Sequence, residues 1–480
     1  MDDRPDDRPD IVLVMTDQQR HDHVGFASGQ GSAAGARFDT PSLDGLARRG
    51  VVFETAYSGS TVCVPSRISL LTGVGAHRVP RVDKLYLPEG HWTVARELQA
   101  AGYETAIVGK GHFRPMRGDY GFETMRMCEH LYGLDVTTGP SGRRELVGGG
   151  DDYHRWLVAH GVVDHRLAER TPQPVGSPRP PRFPNDASVH PTSWVERETL
   201  ELLARRDRRR PLYLVVSFPH PHDPLDPPEP YESMYDPADS VVPSDGFEVN
   251  DGLPWAFRQP LSVQTGPFRP SRPTSERQLR ELQALVRGLV RQIDDAVGRI
   301  LDALDPERTV IGFTSDHGDY GGHRGMLRKV PWIPFDDLWR VPFVLAAPDM
   351  VGGRRVAGMV QNLDWVTTAL DYAGVPHDPG VFDGRSLRPA LTDPRWSPDP
   401  DRPLIGGVAD GWPSIRRGNL KLITRSHFTL PGRAMFDLDA DPGERVDLAA
   451  DPARAAEADE LQDLLTRSIW VPHPDLPGRP

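Results

Sequence analysis

The sequence predicts an α/β fold: a large, mostly parallel sheet sandwiched by helices, with a smaller C-terminal α+β domain carrying an antiparallel sheet. Three observations predict it. Short, unbroken apolar runs recur between residues 11 and 319, as in strands buried on both faces. Stretches with apolar residues at helical spacing separate them, and this alternation marks a parallel sheet. Beyond residue 402 the apolar runs are short and closely spaced, as in an antiparallel sheet.

The first run, IVLVM at 11–15, ends in Thr16, Asp17 and Gln18. The same form returns in ETAIVGKGHF (104–113), PLYLVVSFPHPHDP (211–224) and TVIGFTSDHGD (309–319). A helix over 93–103 carries Val94, Ala95, Leu98 and Ala101 on one side. A second helix is expected over 193–206, with Ser193 and Glu196 spaced as a capping box. The stretch 275–304 places Leu279, Leu282, Leu285, Leu289, Ile293, Val297, Ile300 and Leu304 on one face, opened by Ser275 and Gln278. Residues 140–192 and 219–275 show little periodicity and read as long loops, which at that length are functional or disordered. The Pro- and Asp-rich stretch 376–402 reads as a connector between a catalytic domain over 1–378 and a C-terminal domain over 379–480. In the latter, PLIGGVAD, SIRRGNLKLITRS and AMFDLDA read as strands, followed by a helix over about 453–469.

Composition narrows the function. Asp plus Glu number 68 against 56 Lys plus Arg, a net charge of -12 with no basic block, which argues against a nucleic-acid partner. Cys63 and Cys128 are the only cysteines, so a disulfide framework and a multi-cysteine zinc site are excluded. The acidic N-terminus has no signal-peptide pattern, and no apolar run approaches the ~20 residues that span a bilayer. The expectation is a soluble cytoplasmic protein with no membrane partner.

In open parallel sheets ligands bind beyond the carboxyl ends of the strands. Four runs end there in polar clusters: Asp17 and Gln18; Lys110 and His112; His220, His222 and Asp223; Asp316 and His317. They are expected to converge on one rim. A scarce thiol, Cys63, lies in the small, polar stretch STVCVPSR, beside Arg67.

Cys63-Val64-Pro65-Ser66-Arg67, with Thr72-Gly73 after four intervening residues, resembles the signature of the formylglycine-dependent sulfatases of the alkaline phosphatase superfamily. Stretches 40–67, 101–113, 314–329, 340–348 and 436–448 resemble that family in the same order, whereas 140–192 and 225–275 match little. GKGHF, HPHDP and SDHGD are most similar to the choline-sulfatase and phosphonate monoester hydrolase-like group. The resemblance implies that a formylglycine-generating enzyme oxidises Cys63 to 3-oxoalanine (formylglycine), whose hydrate attacks a small anionic sulfate ester. It implies one divalent metal held by Asp17, Gln18, Asp316, His317 and residue 63. Hard oxygen ligands favour calcium, and the His317 nitrogen makes manganese the alternative. Gln18 stands where family members often have a second aspartate and offers only a neutral carbonyl oxygen.

Arg67, Lys110, His112, His222 and Lys329 join Cys63 as the implied catalytic residues. Arg67, one helical turn beyond Cys63, is expected to reach back to it. Lys110 is implied to steady the aldehyde and sulfate, and His112 to remove a proton when the covalent sulfate hemiacetal breaks down. His222 or Lys329 is implied to protonate the leaving oxygen. The expected function is sulfuric ester hydrolysis, with phosphonate monoester or phosphodiester hydrolysis at the same site as the alternative. His220 reads as a supporting neighbour or an exposed loop histidine, and Cys128 as a small buried residue. Asp319, His323 and Arg324 read as substrate contacts or loop braces, and DADPGE (439–444) as a turn. A homo-oligomer is compatible with all of this.

Overall fold

A computed structural model describes residues 6–27, 38–79, 87, 90–129, 136–138, 144–146, 149–167, 182–245, 247, 252–262, 272–407, 411–425 and 432–469. In chain order the strands are β1 (Asp10–Asp17), β2 (Val51–Tyr57), β3 (Glu104–Gly109), β4 (Thr124–Met127), β5 (Val136–Thr138), β6 (Arg144–Leu146), β7 (Leu212–Pro221) and β8 (Thr309–Ser315). They continue with β9 (Arg340–Val341), β10 (Phe343–Ala346), β11 (Arg354–Gln361), β12 (Leu404–Gly406), β13 (Ser414–Arg417), β14 (Leu420–Arg425) and β15 (Gly432–Asp437).

The main sheet runs β11-β2-β10-β8-β1-β7-β3-β4, with the short β9 paired to β2. The central strands β8, β1, β7, β3 and β4 are parallel. Alternate residues of β1 feed two cores. Ile11, Leu13 and Met15 pack with the helices Cys63–Thr72, Val94–Ala100 and Asp364–Tyr372. Val12 and Val14 face the helices Pro41–Arg49, Pro191–Arg205 and Glu276–Asp302. Apolar runs without alternation therefore mean burial on both faces.

The second sheet, β12-β13-β14-β15, is antiparallel throughout. One of its faces holds Ile415, Leu422 and Met435 against Ala458, Leu461 and Leu465 of the helix Ala455–Ile469. Its other face places Ile423, Ala434 and Phe436 in a cluster with Phe257, Tyr320 and Phe335.

Several local expectations change. The helix expected from 193 begins at Pro191, whose fixed φ suits a first helical turn. His190 caps it, its Nδ1 accepting the Thr192 N–H at 3.2 Å, while Glu196 pairs with Arg299 at 2.7 Å instead of closing a box. Ser275 does cap its helix through the Gln278 N–H (3.2 Å), yet the Gln278 side chain accepts from the Thr274 N–H at 2.6 Å. The stretches read as long loops contain the helices Asp152–Ala159 and Trp255–Ser262. No helix among the described residues is long and apolar enough to cross a membrane.

His23, 7% exposed and stacked on Phe38 with centroids 4.1 Å apart, gives the fold an acid sensitivity. Burial pushes its pKa down to about 3. An unfolded chain protonates this ring near pH ~6.5 while the folded one does not, so the unfolded state binds more protons below that pH. Its stabilisation is complete above the unfolded pKa and is lost as pH falls towards the folded one. Unfolding free energies from urea titrations between pH ~5.5 and ~4.5 should therefore fall less steeply in His23→Phe, by about 1.4 kcal/mol per pH unit.

Candidate active site

β1 delivers Asp17, β8 delivers Asp316 and His317, β3 delivers Lys110, and β7 delivers His222 to the same edge of the sheet. Gly109 makes the turn into Lys110 possible. Its φ is +106°, and a Cβ there would lie 1.9 Å from the Ser217 carbonyl oxygen. Cys63 is the first residue of the helix Cys63–Thr72, so its sulfur sits at the end where free N–H groups favour an anion.

Around Cys63 Sγ, Lys329 Nζ lies at 2.7 Å, His317 Nε2 at 3.3 Å and Asp17 Oδ1 at 3.8 Å. One donor atom from each of Asp17, Cys63, Asp316 and His317 lies within 4.8 Å of the others, and all four residues are buried. The donor set fits a divalent cation on two further counts. His317 Nδ1 donates to the Gly318 carbonyl at 2.8 Å, which leaves the Nε2 lone pair facing the cluster. The Gln18 amide nitrogen donates to Asp319 Oδ2 at 2.6 Å, so its Oε1 is the free end, buried with no hydrogen-bond partner among the described residues.

A model of the Sulfatase family matches residues 9–375. The chain belongs to the sulfatase family. It is 30% identical to an arylsulfatase of Clostridium perfringens, over 96% of this chain and 94% of the relative. It is 29% identical to a choline-sulfatase of Rhizobium meliloti, over 93% and 83%. The crystal structure of the phosphonate monoester hydrolase of Agrobacterium radiobacter shares the fold, with a TM-score of 0.73, 23% identity and coverage of 96% of both chains. This protein is thus a sulfatase-family hydrolase with an alkaline phosphatase-like fold.

In this sulfatase the hydrogen bonds of Arg67 run to the carboxylates and backbone around position 63. Its Nη2 donates to Asp17 Oδ2 (2.9 Å), its Nε to Asp316 Oδ2 (3.0 Å), and its Nη1 to the Lys110 carbonyl (2.7 Å) and Ser217 Oγ (2.8 Å). Two buried carboxylates thus hold the guanidinium. Lys110 Nζ also donates to Asp17 Oδ2.

The electrostatics follow from these contacts. Burial and Cys63 push Asp17 up, but Lys110, His222 and Arg67 outweigh them and hold its carboxyl well below the usual range. Burial and the neighbouring Asp17 charge raise Asp316. Burial alone would raise the Cys63 thiol; Lys110, Lys329, His317 and a hydrogen bond from His112 bring it well below the ordinary value. His112, depressed to about 4 by burial and by Lys110, is neutral at pH 7.

His222 Nδ1 donates to the Asp223 carbonyl at 2.9 Å. Asp319 binds the Gln18 amide and the Arg328 N–H (3.1 Å). Arg324 donates to Asp337 and to the Gly443 carbonyl (3.1 and 2.8 Å), and His323 Nδ1 lies 3.3 Å from Asp245. All three of these residues brace loops. His220 is buried beside His190 and Asp226. Because His190 Nδ1 accepts the Thr192 N–H, its Nε2 carries the proton and offers no lone pair to a metal. Cys128 is buried, and burial raises its thiol pKa well above the ordinary value. Glu129, beside it, holds the Gly111–His112 backbone; in the sequence it is only a charge in MRMCEHLYG, with no periodic signal to mark it.

Proposed function

We propose that this chain hydrolyses a small sulfate monoester at residue 63, once Cys63 has become formylglycine and a divalent cation, calcium by its mostly oxygen donor set, is bound. The observation that carries the reading is the convergence on Cys63 of Lys329 (2.7 Å), His317 (3.3 Å) and the Asp17–Asp316 pair. The thiol sulfur stands in for a hydroxyl of the hydrated aldehyde. When bound, the cation and the aldehyde hydrate supply neutralisation of the sulfate oxygens and a hydroxyl acidic enough to act as nucleophile.

The residues divide the remaining work. Asp17, Gln18, Asp316 and His317 would hold the cation. Lys110 and Lys329 bring positive charge to the sulfate oxygens. Arg67 orients both metal-binding carboxylates and acts through them. His222 or Lys329 gives a proton to the alcohol oxygen as the ester S–O bond breaks, and neutral His112 takes one up as sulfate departs. The sum is ester plus water giving alcohol, sulfate and a proton.

Side-by-side turnover of an aryl sulfate, choline sulfate and a phenyl phosphonate ester tests the reading. A sulfate ester should be the best substrate; phosphonate turnover well above every sulfate would replace it with the phosphonate hydrolase alternative. Asp316→Asn keeps an oxygen for the Gln18 and His317 N–H groups, at 3.0 and 2.9 Å, but removes the charge. Calcium affinity measured by calorimetry and kcat/KM should each fall by about 100-fold or more.

A further inference from the structure

Glu129 takes no part in the reaction just described, yet it is 1% exposed and faces the loop that carries Lys110 and His112. Its Oε1 accepts the N–H of Gly111 at 2.9 Å and the N–H of His112 at 2.7 Å. Its Oε2 is buried with no hydrogen-bond partner among the described residues. The backbone at Glu129 is held on both sides. Its N–H donates to Asp151 Oδ2 at 2.7 Å, and its carbonyl accepts from Arg166 Nη1. Arg166 in turn lies 2.7 Å from both Asp151 and Asp164. One residue earlier, the Cys128 N–H continues the pairing of β4 with β3 by donating to the Gly109 carbonyl at 2.9 Å. A buried frame thus presents this carboxylate.

The loop needs such an acceptor. His112 has φ +58°, a left-handed conformation unfavourable to a residue with a Cβ. Successive N–H groups of such a turn converge on one acceptor, and buried N–H groups left unpaired are costly. Gly111 leaves the space where a Cβ would meet Met127 Cε at 2.6 Å and the Phe113 ring at 2.7 Å, so packing shapes the turn from the other side.

We propose that Glu129 is a positioning residue for His112: by accepting both N–H groups, its Oε1 fixes the left-handed turn and aims the imidazole at position 63. The proposal rests on the role of His112 given above. What the turn requires is an oxygen, not a charge, because Oε2 has no hydrogen-bond partner among the described residues. Burial, which lifts the Glu129 carboxyl above its ordinary range despite Lys110 and Arg67, agrees with that.

The test joins amide exchange to kinetics in the full-length protein. Exchange over residues 104–113 should quicken about tenfold or more in Glu129→Ala and stay near wild type in Glu129→Gln, whose amide oxygen can replace Oε1. With 4-nitrophenyl sulfate, kcat of Glu129→Ala should fall about 10–100-fold while KM changes by less than about threefold. Glu129→Gln should recover most of that loss, and Ala at both 112 and 129 should be no slower than His112→Ala alone. Glu129→Asp withdraws the oxygen by one carbon without emptying the site, and replaces the alanine variant if that does not fold. Unchanged exchange in Glu129→Ala overturns this proposal alone. So does a glutamine variant as impaired as the alanine one, or additive losses in the double variant. Full turnover in His112→Ala overturns the role of His112 and this proposal with it.

Discussion

Cys63→Ala should lower kcat/KM for a sulfate ester by about 10⁴-fold or more, the scale of losing a nucleophile from a site whose other groups remain. The side chain is buried at a helix N-terminus and makes its polar contacts within the cluster, so its truncation removes little packing. The variant should therefore melt within a few degrees of the wild type while turnover collapses. Lys110, Lys329, His317 and Asp17 are unaltered in that variant, so under the proposed function sulfate and calcium should still bind while turnover is lost. An alanine variant that retains full activity would show that the attacking group lies elsewhere.

Lys421→Ala should cost about 3–5 kcal/mol, read as a shift in the urea midpoint, because it leaves buried charges without their partner. Lys421 is 0% exposed, on β14 of the small sheet. Its Nζ lies 2.8 Å from Asp336 and 2.7 Å from Glu444. Asp336 also accepts the Tyr57 O–H of β2 at 2.9–3.0 Å, and its own N–H donates to Glu444 Oε2 at 2.8 Å. One ammonium thus ties the small sheet to the main sheet and to the segment that follows Lys329. Turnover should fall along with stability, since Lys329 is carried by the loop that this tie closes. Lys421→Met, which fills the stem volume but still strips the charge, should be nearly as unstable. A midpoint shift below about 1 kcal/mol would mean that the carboxylates find water or a proton without strain.

Much of this was legible because the strands announce their carboxyl ends. In β1 and β8 an unbroken apolar run stops at Asp17 and at Asp316-His317, and the parallel topology brings such stops to one edge. The cysteine motif then supplied the centre. What stayed hidden depends on three-dimensional neighbours. β10 is inserted antiparallel between β8 and β2, and nothing in FVLA distinguishes its direction. Arg67 sits one turn from Cys63, as its spacing says, but the side chain goes where charge is densest, to Asp17 and Asp316. DADPGE reads as a turn and is one, yet its last residue, Glu444, faces Lys421 and Arg324 across the sheets. Glu129 has no signature at all: its partners are backbone N–H groups that any sequence provides.

The formylglycine mechanism depends on the chemical state of residue 63. Protein purified from its native host, digested, and reacted with a hydrazide to trap carbonyls should yield a peptide carrying an aldehyde at position 63, located by mass spectrometry. Recovery of that peptide only as the unmodified thiol would contradict it.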